Sequence, residues 1–165
     1  MERARAVATE LRPGVRPASV ASVIRVGHSV DIARSPGDVF AYLTDPARLG
    51  TWQDATEVQQ LTPGPVGPGT RFREVHEALG RRRVEITEVV VFEPGRRFDI
   101  RVVEGPPVGG RWDFEPANGG TRLTLTPAVR LPPALRALEP VVALATVLVF
   151  ARFHRRLKRN LERNL

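Results

Sequence analysis

The 165-residue chain contains no cysteine. That excludes disulfides, thiolate metal ligands and a cysteine nucleophile, and leaves the redox compartment undetermined. The apolar run from Pro140 to Ala151 is well short of the roughly 20 residues a membrane span needs, so no transmembrane helix is expected. The opening stretch, MERARAVATELRPGVRPASVAS, lacks the continuous apolar core of a signal peptide. Residues 1–22 are therefore expected to form a flexible leader and residues 23–165 a single domain, cytoplasmic by default. No nucleophile elbow, phosphate loop or dinucleotide motif occurs, and the glycines stand with prolines in turns. The three histidines, His28, His76 and His154, form no helical His-x-x-x-His or Glu-x-x-His pair, so no metal site and no cofactor is expected.

A net charge of +7 suggests nucleic acid until it is divided along the chain. Arg3, Arg5, Arg12 and Arg16 outweigh Glu2 and Glu10 at the start. Arg152, Arg155, Arg156, Lys158, Arg159 and Arg163 outweigh Glu162 at the end, and everything between is neutral. A neutral body argues against a nucleic-acid groove. The basic C-terminal end permits peripheral contact with an anionic membrane surface, although a solvated helix face explains it equally.

What the chain does contain is an ordered series of short patterns. Residues 24–33 alternate as a half-buried strand, with His28 in the inward phase. Ser35-Pro36-Gly37-Asp38 carries helix-start signals, and Asp45-Pro46 ends that helix and opens a second short one near Trp52. From residue 55 onward, strand patterns are joined by short turns such as Glu93-Pro94-Gly95 and Asn118-Gly119-Gly120, the mark of an antiparallel meander. Last comes one long helical pattern, Pro133–Leu165. Its apolar residues Leu135, Leu138, Val142, Ala145, Val149, Phe153, Leu157 and Leu161 share a face. A curved sheet needs one face covered, and this helix is the only element large enough to cover it. The reading is an α+β fold, a sheet of about six to seven strands wrapped around the C-terminal helix. The apolar half of the helix is expected to be gripped, with a kink at Pro140, while the basic end projects past the sheet.

The run VDIARSPGDVFAYLTDPARLGTW resembles the opening signature of the SRPBCC superfamily, in its polyketide cyclase/dehydrase-like branch. The matching residues are Ser35, Pro36, Val39, Phe40, Leu43, Asp45, Pro46, Leu49 and Trp52. Gly67-Pro68-Gly69-Thr70-Arg71-Phe72, the Glu93–Arg97 turn and Gly119–Thr124 add to the match. The resemblance implies the helix-grip fold of the birch-pollen allergen and the steroidogenic lipid-transfer domains. In that fold the space between sheet and helix is usually a ligand cavity.

Given such a cavity, Trp52, Phe72, Ile86, Phe98, Ile100, Trp112 and Phe114 of the sheet side would line it, with Val142 and Val149 of the helix; filling the core is the plainer alternative for each. Strand alternation puts Glu74 and His76 inward with Phe72, and Glu88 inward with Val84 and Ile86, while His28 joins them. Buried carboxylates and imidazoles serve as acids, bases or ligand anchors, so His76, Glu74 and Glu88 are the catalytic candidates. A bulge turning them to solvent, or an ordinary buried network, accounts for them as well. The expected function is binding, transport or sensing of a small hydrophobic molecule such as a lipid, polyketide or isoprenoid, by a monomer or homodimer. The alternatives are a polyketide cyclase, aromatase or dehydratase and, less favoured, a toxin-type protein that binds a macromolecule. No complete acid–base set marks an enzyme.

Overall fold

The computed structural model describes residues 22–24, 26–78 and 80–163; all but the last residue of the expected leader lies outside them. In order they form β1 (Ser22–Ile24), β2 (His28–Ile32), α1 (Pro36–Thr44), α2 (Leu49–Trp52), β3 (Ala55–Gln60), β4 (Arg71–Ala78) and β5 (Arg81–Glu93). There follow β6 (Arg97–Glu104), β7 (Val108–Ala117), β8 (Gly120–Leu131), a 3₁₀ turn (Pro133–Leu138) and α3 (Glu139–Glu162). β1 and β2 pair with successive stretches of β8, so they are two pieces of one strand. The sheet is thus seven strands wide, antiparallel throughout, in the order β1/β2, β8, β7, β6, β5, β4, β3. This is the helix-grip fold.

Local signals set the element ends. The Ser35 hydroxyl accepts from the Asp38 amide at 3.2 Å, capping α1, and Pro36 occupies the first turn, where a missing N–H costs nothing. The buried face of α1 is Val39, Phe40 and Leu43. The Phe40 ring meets Phe92, Phe98 and Phe114 edge-on at 4.9, 6.4 and 5.2 Å, which fills that end of the core. The β7–β8 hairpin closes on Asn118-Gly119, with φ of 49° and 76°, the left-handed pair a two-residue hairpin requires.

Two expectations are overturned here. The first concerns the two halves of α3. Its buried residues are His154, Leu157 and Leu161, all in the basic half. Leu135, Leu138, Val141, Leu144, Leu148 and Val149 are exposed. The basic half does not project but is clamped. Arg152 and Arg156 share Asp54 at 2.5 and 2.6 Å. Lys158 donates to the Asp31 carbonyl, Arg34 donates to the Leu161 carbonyl, and Glu162 accepts from the Ala33 amide. Periodicity marks a face of a helix but not which stretch of it meets the sheet. Long basic side chains cover apolar surface with their stems while their heads reach partners. Pro140 lies in the first turn of α3 after the 3₁₀ turn, so it starts the helix rather than kinking it.

The second concerns β5. β4 and β5 are joined with Ala78 opposite Arg81, which places Phe72 opposite Thr87 and Glu74 opposite Glu85. Directly opposed residues share a face of the sheet. Thr87 and Glu85 therefore point inward with Phe72, and Val84, Ile86 and Glu88 point outward. Glu88 is held on the outer face by Arg71 at 2.8 Å and Arg101 at 2.5 Å, and those two guanidiniums hold its carboxyl below the usual range.

The inverted grip predicts opposite costs for similar truncations along one helix. Leu157→Ala, fully buried, should lower unfolding free energy by about 2–5 kcal/mol. Leu144→Ala, 61% exposed, should change it by less than about 0.5 kcal/mol. Urea denaturation of the two variants checks this, and equal losses would contradict the packing.

Candidate functional site

A cavity of about 210 Å³ lies between the inner face of the sheet and the middle of α3. One feature of the sequence opens it: Gly110 of β7, in the inward phase of Trp112, puts no side chain into the space, and a Cβ there would stand 2.9 Å from the Trp112 ring. The indole can thus lie back along its own strand. On the helix side, Val149, Phe150 and Phe153 form the wall. The apolar part of the lining is completed by Trp52, Ile100, Val102 and Val108.

One end of the cavity is polar. The Glu74 carboxylate accepts from the Thr87 hydroxyl at 2.6 Å and from the Gln53 amide at 3.0 Å. His76 Nε2 lies 3.1 Å from a Glu85 oxygen and 3.6 Å from a Glu74 oxygen. The other Glu85 oxygen is 3.4 Å from Arg83. The two carboxylates, Glu74 and then Glu85, outweigh burial and raise the His76 imidazole to about 9. Burial pushes Glu85 up, but contact with His76 and the charge of Arg83 more than offset it, and its carboxyl is lowered overall. At neutral pH the cluster is an imidazolium held between two carboxylates. Such a group donates a proton or stabilises developing negative charge, but it is not a general base. The donor atoms of Glu74, His76 and Glu85 lie within 4.8 Å of one another, so these are the residues a cation would use if it displaced the His76 proton.

Of the residues anticipated from sequence, Trp52, Glu74, His76, Ile100, Trp112 and Val149 line this cavity. Phe72, Phe98 and Phe114 are core residues beside it. Val142 is not part of the lining, and Ile86 and Glu88 are on the other face of the sheet. His28 does point inward, but towards α3: its Nδ1 is 2.7 Å from Nδ1 of His154, apart from the polar cluster. Burial, and then the neighbouring His28, lower His154 to about 3, so it stays neutral. Sequence reasoning missed Gln53, Glu85 and Thr87. The signal for the last two was the hairpin register, which ties their facing to that of Phe72 and Glu74. A larger concavity, about 880 Å³, lies on the outer face of β6, β7 and β8. Arg97 pairs there with Asp99 and Arg111 with Asp113, while Arg101 pairs with Glu88 beside it and Arg130 makes no ion pair among the described residues.

Comparison with known proteins identifies the family and the fold. The family described as polyketide cyclase/dehydrase and lipid transport matches residues 23–162. A search of curated proteins gave no match. Among solved structures, the di-domain ARO/CYC protein StfQ from the steffimycin biosynthetic pathway superposes with a TM-score of 0.73 at 14% identity over 86% of this chain. The chain spans about half of that protein, 51% of its length. The protein TTHA0849 from Thermus thermophilus gives 0.67 at 20% identity, covering 85% of this chain and 97% of that one. Ara h 8.0201 gives 0.60 at 14% identity, covering 82% and 98%.

The cluster predicts a signed pH response. A histidine raised from 6.5 to about 9 on folding adds stability that is complete below 6.5 and is lost as pH climbs through 9. Wild-type protein should therefore weaken between pH 7 and 9.5 in denaturant titrations, and His76→Gln should lack that slope. Imidazole NMR should place the His76 midpoint near 9; a midpoint near 6.5 would refute the ion-paired cluster. His154, lowered from 6.5 to about 3, has the opposite sign and takes stability away as pH falls below 6.5.

Proposed function

The chain belongs to the polyketide cyclase/dehydrase and lipid transport family, of the SRPBCC type, and from that premise we propose that it binds a compact, largely apolar molecule bearing oxygen acceptors. The observation that carries this is a pair of orphaned donors. Trp52 and Trp112 both line the cavity, both are nearly fully buried, and neither indole N–H has a partner among the described residues. A buried donor without a partner costs about 1–3 kcal/mol, so a ligand towards whose carbonyl or hydroxyl oxygen an indole turns recovers that energy on binding. The remaining wall is largely apolar, and the Glu74–His76–Glu85 cluster closes one end.

Size narrows the class further. A space of about 210 Å³ suits a small ring system or a short keto chain better than a two-chain lipid or a full-length poly-β-ketone. The binding reading is favoured over catalysis because the polar cluster is already occupied with itself. Both Glu74 oxygens accept hydrogen bonds, and Glu85 is engaged by His76 and Arg83. A second reading, a cyclase or dehydratase, draws on one feature: an imidazolium in an apolar cavity can stabilise an enolate and return its proton.

The two cavity tryptophans are the only ones in the chain, so their fluorescence reports on the site directly. Titration with 1-naphthol should change that emission saturably, and Val102→Phe, which fills the cavity, should weaken binding at least about tenfold. Native mass spectrometry should find any co-purifying apolar molecule released unchanged. Turnover of a short poly-β-ketone mimic, abolished by His76→Ala and by Glu85→Gln, would replace the binder with the enzyme. No change in emission with a probe of this size would sink both readings.

A further inference from the structure

The exposed side of α3 changes chemistry halfway along. Val141, Leu144, Leu148, Arg152, Arg155 and Arg159 are all exposed and follow at steps of three and four, so they lie in one stripe. Its first half is aliphatic and its second half basic. The 3₁₀ turn extends the aliphatic part with Leu135 and Leu138, both exposed. The helical stretch Pro133–Glu162 contains a window long and apolar enough to cross a membrane by length and composition, and none of that window is buried. An apolar ridge of this extent is larger than scattered surface leucines and marks an interaction site.

Three observations specify the occupant. Between Pro140 and Ala151 there is no charged residue, and the one polar side chain, Thr146, donates its hydroxyl to the Val142 carbonyl at 2.7 Å. The ridge therefore offers no unmet polar group and suits hydrocarbon, where each unmet group is costly. A protein partner would favour aromatic anchors within the patch, and the exposed stripe carries no aromatic side chain. Next, Arg155 and Arg159 make no ion pair among the described residues, and they continue the same stripe where phosphate headgroups would lie beside an inserted ridge. Finally, Pro140 to Ala151 rises only about 18 Å, against a hydrocarbon core of about 30 Å. The turns that follow are fixed in the fold by Leu157 and the Asp54 pairs. The helix thus lies along the surface of a bilayer and does not span it.

We propose that the exposed stripe of α3 docks this protein peripherally on an anionic lipid surface, with Leu138, Val141, Leu144 and Leu148 buried in the acyl boundary and Arg155 and Arg159 on the headgroups. This moves the membrane contact from the basic helix end alone to a surface of which that end is the rim. Val149 belongs to both the exposed ridge and the cavity wall, so docking brings the cavity beside the lipid. The proposal does not depend on what the cavity holds.

The test is co-sedimentation of the full chain with vesicles of phosphatidylcholine doped with phosphatidylglycerol. Binding is expected, weaker with pure phosphatidylcholine and weaker as salt rises. Leu144→Glu combined with Leu148→Glu should lower it at least about tenfold, and Arg155→Glu with Arg159→Glu should remove the preference for anionic lipid. Leu144→Gln with Leu148→Gln serves if the glutamate pair disturbs folding, which thermal melting reports. The proposal is overturned if the wild-type chain does not sediment with anionic vesicles, or if the leucine variants sediment as well as wild type. It is also overturned if sedimentation velocity shows a dimer that the leucine variants break while vesicle binding is absent, since the ridge is then a contact between copies.

Discussion

The fold rests on how α3 is held. A sheet of seven antiparallel strands has a concave face that must be covered, and the helix covers it from one end only. Leu157, with no exposed surface, is the fixed point, with Leu161 and His154 on either side of it. Around this apolar contact runs a ring of polar ties to the chain on both sides of α1, at Asp31, Ala33, Arg34 and Asp54. Exposed ion pairs are individually weak. Here they surround a dry contact and fix the direction in which the helix leaves it. That direction carries the middle of α3 away from β6 and β7, and the resulting gap is the cavity.

The gap stays open because the two ends of the core are filled differently. At the α1 end, Phe40 and its three aromatic neighbours occupy the space. At the α3 end, β7 contributes Gly110 in place of a side chain, and the sheet contributes charge. Burying Glu74 and Glu85 is costly unless each is paired, and the pairing is complete only because His76 carries a proton between them. The cluster is self-consistent: the carboxylates stabilise the imidazolium, and the imidazolium permits the carboxylates to be inside. This mutual support makes it a fixed polar anchor in an otherwise apolar space, and explains why it acts poorly as a base.

Much of the architecture was legible in the sequence, because strand alternation, turn chemistry and capping are local. The α1 cap at Ser35 and the Asn118-Gly119 turn needed nothing beyond neighbouring residues. What failed was set by relations between elements. In β5, Arg-Val-Glu-Ile-Thr-Glu breaks the rule that apolar residues face inward: Glu85 and Thr87 face the cavity, and Val84 and Ile86 face out. The two-residue separation between Ala78 and Arg81 makes opposed positions sum to an odd number, so Phe72 and Ile86 cannot share a face. Parity of the hairpin outranks polarity, since the loop length fixes the register. Glu74 and His76 do face the cavity, because Phe72 phases their own strand correctly. For α3, the apolar face was readable but its depth of burial was not, since burial depends on where the sheet ends.

The two failures have a common form, and it bears on function. In each case the exception to hydrophobic-inside patterning is where the unusual chemistry lies. Polar residues turned inward on β5 complete the charged end of the cavity. Apolar residues turned outward on α3 make the ridge. A chain that only needed to fold would gain stability by exchanging the two: hydrophobic side chains at Glu85 and Thr87 would fill the gap, and charged ones at Leu144 and Leu148 would be solvated. Neither exchange disturbs the Leu157 contact, the α1 cap or the hairpins, so the fold itself imposes neither feature. Both features border the same cavity, through Glu85 and Thr87 on the sheet and Val149 on the helix. The cavity is therefore the part of this structure whose composition folding alone leaves unexplained.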